Sequence, residues 1–344
     1  QWLGQGSTQG HYEDLTGFLT ETGIADSVTP ATLQYYGEYP PGSGTYWAYP
    51  TEGDANGWAY RRDLFENPDE QAAFQAEYGY ELAPPETYDQ LMDIANFFTR
   101  PEENLYGVAI YTQGDYDALT MGYQNVMFSY GGNWADQNYN AEGVVNSPEN
   151  VAAAEFYREL DDCCQPPGLS NAFYVETNDA FIGGQAAMAM NYFAFFPALV
   201  NPEVSPYAAD TGFFVNPQGP NGEQFAALGG QGMSVISYIA DDRKEAAKHF
   251  IQWFAQPEIQ QEWAALGGYT CNSDVLESDL FLEASPFNPA FAETMTFVKD
   301  FWNIPEYGEL LRISQTELGN YIVGGQGTAQ EALDRMAEQQ QQIL

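Results

Sequence analysis

The sequence predicts a folded α/β protein of two domains. Three observations carry that prediction: helical and strand-like segments alternate along the chain, 44% of its 344 residues are apolar, and 49 acidic side chains stand against 10 basic ones for a net charge of -39. The apolar share suffices for a large core, and the length exceeds what one core usually fills. A surface this anionic repels phosphate backbones and acidic lipid headgroups, whose binding needs clustered Lys and Arg, so nucleic acid and acidic membranes are poor candidate partners and no nucleic-acid partner is expected. Only Lys244, Lys248 and Lys299 are lysines, a composition that keeps a surface hydrated in salt, although an ordinary acidic secreted protein accounts for it equally well. The most apolar stretch, Ala186 to Val200, is broken by Asn191 and Pro197 and falls short of the roughly 20 residues of a membrane span, so it reads as core.

In chain order, Tyr46 to Tyr49 and Trp58 to Tyr60 read as strands. Beyond the loop marked by Pro84 and Pro85, Thr87 and Gln90 form a capping box that opens a helix through Leu91, Ile94, Ala95 and Phe98. Tyr106 to Tyr111 follows as a strand. Ser147 before Pro148 places an N-cap and a first-turn proline ahead of a helix carrying Val151, Ala154 and Tyr157 on one face, and Cys163 and the Pro166-Pro167-Gly168 run end it. Ala186 to Met190 and Met233 to Ile239 read as strands. A helix from near Asp242 repeats apolar residues at Ala247, Phe250, Ile251 and Phe254, with His249 expected to be partly buried, and Pro257 restarts the chain as a shorter helix through Ile259 and Trp263. After Gly324-Gly325-Gln326-Gly327, Thr328 and Glu331 form a second capping box for a helix through Ala332, Leu333 and Met336, whose Gln339 to Gln342 tail is expected to fray. Neither a fixed-period repeat nor a long polar linker is present, so two lobes would be joined by more than one crossing of the chain.

Cys163 and Cys164 are adjacent and Cys271 is distant, without C-x-x-C spacing or a neighbouring histidine, which argues against zinc or an iron-sulfur cluster. Neither a metal nor a cofactor is expected. A bond from Cys271 to one of the pair, taken as Cys164 although Cys163 is equally placed, would close a loop of about a hundred residues, contribute up to roughly 4 kcal/mol and imply an oxidising compartment. Three reduced, buried thiols are the alternative. No charged-then-apolar leader precedes Gln1, so the sequence reads as mature or cut short at its start.

Catalytic patterns are absent. There is no G-x-S-x-G elbow, the two histidines His11 and His249 lie outside any H-E-x-x-H pattern, and the G-G-Q-G runs at Gly229 and Gly324 lack a nucleotide fingerprint. Among 49 carboxylates a glycosidase-like pair is expected by chance, which keeps a secreted carbohydrate-active hydrolase as the alternative reading, with a purely structural surface protein as a third. The informative pattern is Tyr46-Trp47-Ala48-Tyr49-Pro50-Thr51-Glu52-Gly53-Asp54-Ala55-Asn56-Gly57-Trp58, in which aromatic rings stand beside carboxylates and amides. A sugar offers an apolar C-H face and a rim of hydroxyls, so rings together with Asp, Glu, Asn and Gln suit a neutral polyol better than an anion.

Several segments, taken in order, resemble one known family. They are Tyr49-Pro50 through Asp54 to Tyr60-Arg61-Arg62-Asp63-Leu64, Pro84-Pro85-Glu86-Thr87-Tyr88-Asp89-Gln90-Leu91, Tyr106-Gly107-Val108-Ala109, Gly131-Gly132, and Ala180-Phe181-Ile182-Gly183-Gly184-Gln185-Ala186-Ala187-Met188-Ala189-Met190-Asn191. Gly229-Gly230-Gln231-Gly232-Met233-Ser234-Val235-Ile236, the Glu245 to Phe254 helix, Gly267-Gly268-Tyr269 and Gly324 to Leu333 complete the series over nearly the whole chain. The order is similar to that of the family 1 extracellular solute-binding proteins, the maltose-binding-protein-like sugar receptors of ABC importers.

The resemblance implies a two-lobed periplasmic-binding-protein-like α/β fold with a ligand cleft between the lobes, its first lobe without the amino-terminal part with which family members begin. It implies a monomeric, non-enzymatic receptor, periplasmic or extracellular, that closes on a carbohydrate or polyol and delivers it to the permease subunits of an ABC transporter. Residues 1–53 and 228–290 would form the first lobe and 54–227 and 291–344 the second, with crossings near Gly53, Ala227 and Pro289. Carried over by position, Gln1 and Trp2 stand where the first-lobe loop meets the ligand, and Asp54 stands on the acidic crossover residue that bonds sugar hydroxyls. Asn191, Tyr192 and Phe193 follow the strand after which the family places stacking aromatics, and Gly230 and Gln231 lie on the returning strand. Glu52, Trp58, Tyr116, Asp117 and Tyr307 are further candidates, with Trp58 and Tyr307 equally suited to a core.

Overall fold

A computed structural model describes residues 2–344, so Gln1 lies outside the described residues. The chain forms two compact units, one of residues 1–55 and 228–308 and the other of residues 56–227 and 309–344. It passes from one to the other inside strand β1 (Tyr49–Arg61), inside strand β5 (Ala226–Met233) and in the first turn of the helix Tyr307–Ile322. The remaining strands are β2 (Tyr106–Ala109), β3 (Ala186–Tyr192), β4 (Thr211–Phe214) and β6 (Val298–Lys299).

In the first unit the leading half of β1 pairs antiparallel with β5, matching Tyr49 to Met233, Glu52 to Gln231, Gly53 to Gly230 and Asp54 to Gly229, with a register shift between Pro50 and Glu52. Pro50 has no N–H to give the ladder, and a local irregularity accommodates it. β6 continues the sheet beyond β5. The core gathers Leu15, Leu19, Ala25, Val28, Tyr49, Val235, Ile251, Ala255 and Cys271. Two expectations change here. The strand lies on the glycine run itself and ends at Met233, because the ladder to β1 outweighs the low strand propensity of glycine. On the helix Asp241–Phe254 only Ile251 is buried, while Phe250 is 49% exposed and His249 is exposed too.

The third crossing also differs from its expected place near Pro289. Phe291 packs edge-on against Tyr269 at 5.3 Å and lies 5.7 Å from Phe281, and Met295, Val298, Phe301 and Trp302 are buried. These apolar residues hold the chain in the first unit as far as Gly308. Asp54 likewise belongs to the first unit.

In the second unit the trailing half of β1 lies between β3 and β4, antiparallel to both, and β3 pairs in parallel with β2 on its other side. Every residue of β3 is buried, which explains its unbroken Ala-Ala-Met-Ala-Met run. The capping boxes at Thr87–Gln90 and Thr328–Glu331 both form. The final helix, Ala329–Gln341, does not fray at its glutamines: Gln340 is buried and its amide donates to Ser314 Oγ at 2.9 Å and to the Leu310 carbonyl at 3.2 Å. A helix the sequence did not announce, Ala118–Ser129, is buried at all twelve positions. It holds the chain beside each crossing, since Asn125 bonds Asn56 and Ala227, and Thr120 bonds Gln315 of the helix Tyr307–Ile322.

The expected Cys164–Cys271 bond is corrected. Cys163 and Cys164, at the end of the helix Pro148–Cys164, are bonded to each other, and Cys271 is a free thiol in the core of the first unit. Adjacent thiols need no long loop to meet, and spacing along the chain cannot specify connectivity. Among the described residues no helix is long and apolar enough to cross a membrane.

Candidate functional site

In the first unit the β1–β5 pairing brings together four residues singled out from the sequence. Glu52 stands opposite Gln231, and Asp54 lies on the partner strand to Gly229 and Gly230. Gln231 and Gly230 are exposed, Glu52 is partly exposed and Asp54 is 6% exposed. Thr51 Oγ1 donates to the Gln231 carbonyl at 3.0 Å, and Asp54 Oδ1 accepts the Ala55 N–H at 2.9 Å. Gly230 is required here: its φ is +86°, and a Cβ would lie 2.2 Å from the Glu52 carbonyl oxygen.

The same Cβ would lie 2.8 Å from the hydroxyl of Tyr36, a residue that sequence reasoning passed over. Tyr36 sits in a π-helical turn, Leu33–Gly37, a local geometry often found at functional sites. Its hydroxyl is buried without a hydrogen-bond partner among the described residues. Burial first, and then the neighbouring acidic groups Cys271, Asp300, Asp54 and Glu52, push its pKa far above the ordinary tyrosine value, so it stands as a neutral donor. Tyr269 is raised likewise by burial and by Asp54 and Glu52, and burial raises the Glu52 carboxyl. The Cys271 thiol is raised by its burial and is unreactive as a nucleophile.

Trp2 is 65% exposed, at the head of the helix Leu3–Thr8. Asn303 links that helix to the tyrosine turn, its Oδ1 accepting from Gly4 N–H at 3.1 Å and its Nδ2 donating to the Tyr35 carbonyl at 3.2 Å. Tyr307 is 4% exposed and packs its ring 5.5 Å from Phe301, as a core residue would. Gln1 is outside the described residues.

In the second unit Asn191 is wholly buried and its amide is taken up internally. Its Nδ2 donates to Asn178 Oδ1 at 2.8 Å, the Tyr174 carbonyl at 2.9 Å and Thr177 Oγ1 at 3.1 Å, while its Oδ1 accepts from the Tyr111 hydroxyl and the Tyr192 N–H. Asn191 is thereby a structural residue, and no polar atom of it is left for a ligand. Phe193 is also fully buried, with its ring under Gly57, and Tyr192 is 4% exposed. Trp58 is core, stacked on Phe214 at 5.8 Å with its indole N–H donating to Asn216. Tyr116 is 72% exposed at φ +59°, its ring 6.1 Å from Phe173, whereas the adjoining Asp117 is buried. Tyr174, 38% exposed and stacked on Phe195 at 4.2 Å, adds a ring face that the sequence reading missed.

The family model of the bacterial extracellular solute-binding proteins matches residues 1–261. The chain is 27% identical over 252 residues to YcjN of Escherichia coli (strain K12), described as an ABC transporter periplasmic-binding protein, covering 71% of this chain and 51% of that one. It is 23% identical over 210 residues to the mannitol-binding protein of Pseudomonas aeruginosa, covering 61% and 45%. The chain thus spans about half the length of the curated relatives it matches. Among solved structures, the solute-binding protein of Agrobacterium radiobacter K84 in complex with ribitol superposes with a TM-score of 0.81 at 26% identity, covering 100% of this chain and 83% of that one. The maltose-bound MalE3 of T. maritima shares the fold with a TM-score of 0.81 at 23% identity, covering 99% and 83%. With the family model matching three quarters of its length, the chain belongs to the bacterial extracellular solute-binding protein family.

Proposed function

We propose that the protein is the substrate-binding component of an ABC importer, that it binds a neutral carbohydrate or polyol without chemical change, and that it delivers this ligand to a membrane permease from the periplasm or the cell exterior. The observation that carries the reading is the group on β1 and β5 of the first unit, where Glu52, Asp54 and Gln231 supply acceptors and an amide beside a Tyr36 hydroxyl that has no partner among the described residues. Such groups suit the alternating donors and acceptors of a hydroxylated chain or ring. In the same unit Trp2 is an exposed ring that can stack on its C-H faces. The ribitol, mannitol and maltose named for similar proteins support the same ligand class. We take the protein to act as a monomer, with no nucleic-acid partner.

A thermal-shift screen against ribitol, mannitol, maltose and acidic sugars tests this, because a ligand that binds the native state raises the melting temperature. At least one neutral compound should raise it, the acidic sugars should not, and chromatography after long incubation should return the ligand intact. Turnover of an oligosaccharide would support the hydrolase reading instead.

A further inference from the structure

We propose that Asn56 is a further ligand-binding residue, presenting its side-chain amide as a donor to an acceptor oxygen of the bound polyol. The inference rests on the function proposed above and assigns a ligand contact to the second unit. It starts from two N–H groups that can only donate. The indole Nε1–H of Trp58 lies 2.8 Å from one amide atom of Asn216, which must therefore be Oδ1, so Asn216 turns its Nδ2 toward Asn125 at 2.9 Å. The backbone N–H of Ala227 meets that same Asn125 atom at 2.6 Å and fixes it as Oδ1 as well. Asn125 consequently faces Asn56 with its Nδ2, at 3.0 Å, and the atom it meets is Asn56 Oδ1.

The orientation of each amide is thus dictated by its neighbours, and the series ends in the Nδ2 of Asn56, aimed away from Asn125. Asn56 is 0% exposed, and its Nδ2 has no hydrogen-bond partner among the described residues. Buried donors are almost always paired, and one left over at the end of an otherwise satisfied network points to a partner outside the protein. The position agrees: Asn56 stands directly opposite Tyr192, itself singled out from the sequence, in the β1–β3 pair and on the same face of the sheet.

The test is titration calorimetry of the wild type and of Asn56→Asp with ribitol, mannitol and maltose. Aspartate keeps the shape and the oxygen that Asn125 needs and removes the donor. The expected result is an affinity at least about tenfold weaker for whichever compound the wild type binds, with the melting temperature of the free protein within a few degrees of wild type. Unchanged affinity in Asn56→Asp overturns the inference while leaving the proposed function standing. Should Asn56→Asp fail to fold, the side-chain NH2 resonances of Asn56 in the wild-type protein decide: they shift on saturation with ligand if the inference holds, and unshifted resonances overturn it. A wild type that binds none of the three compounds overturns the proposed function and this assignment together.

Discussion

Replacing Gly230 by alanine probes the β1–β5 contact on which the candidate site is built. The methyl group would lie 2.2 Å from the Glu52 carbonyl oxygen and 3.0 Å from the Asp54 nitrogen, both backbone atoms of the partner strand, and 2.8 Å from the Tyr36 hydroxyl. The two backbone atoms cannot move aside as a flexible side-chain end would. At φ +86° alanine also carries a left-handed penalty of about 1–2 kcal/mol, and overpacking of this kind adds about 1–3 kcal/mol. A combined cost of about 3 kcal/mol lowers a melting temperature by roughly 6–12 °C in a domain of this size. Scanning calorimetry reads that loss, and titration of the same variant should show weakened polyol binding, because opening the strand pair displaces Glu52 and Asp54. A variant that melts within about a degree of wild type would refute the close approach of β1 to β5 at Gly230.

Other expectations follow from the same coordinates. Asp54→Ala should weaken polyol binding at least about tenfold without unfolding the protein, since ligand hydroxyls lose a charged acceptor, and calorimetry showing wild-type affinity would remove Asp54 from the site. Burial first, and then the Asp162 charge, push the Asp161 carboxyl up from 3.8 to about 6. With the folded value above the unfolded one, the charged form opposes folding: its cost is absent below about pH 4, grows between about 4 and 6 and is complete above, on the order of 1–3 kcal/mol. Asp161→Asn should therefore be more stable than wild type at pH 7 and equal to it near pH 4, and denaturation midpoints showing no such convergence would contradict the assignment. Thiol titration in denaturant without reductant should find one reactive cysteine, Cys271, and after reduction three. Three before reduction would contradict the Cys163–Cys164 bond.

Features set by local chemistry were legible in the sequence. Thr87 with Gln90 and Thr328 with Glu331 announced helix starts because a capping box is a short-range pattern, and β3 could be read because a strand covered on both faces is continuously apolar. The helix Ala118–Ser129 escaped because burial on every side erases the amphipathic period, and β5 escaped because its glycines are selected by the approach of Glu52 and Tyr36 rather than by strand propensity. At the site the resemblance brought forward Glu52, Asp54, Gly230 and Gln231, which the ladder gathers, but also Asn191, whose amide is taken up inside the second unit. Tyr36 carries no sequence signal, and Asn56 stood out only as the amide of the Tyr46 to Trp58 run. In the structure each is marked by a buried polar atom without a partner among the described residues, a property of the folded environment.

Tyr36→Phe tests the ligand assignment most directly, since it deletes a hydroxyl that has no partner among the described residues and alters nothing else. Titration with the polyol that binds the wild type should show an affinity about tenfold or more weaker, while the free variant melts no lower than the wild type. Undiminished affinity in Tyr36→Phe would contradict the placement of the ligand beside Glu52, Asp54 and Gly230.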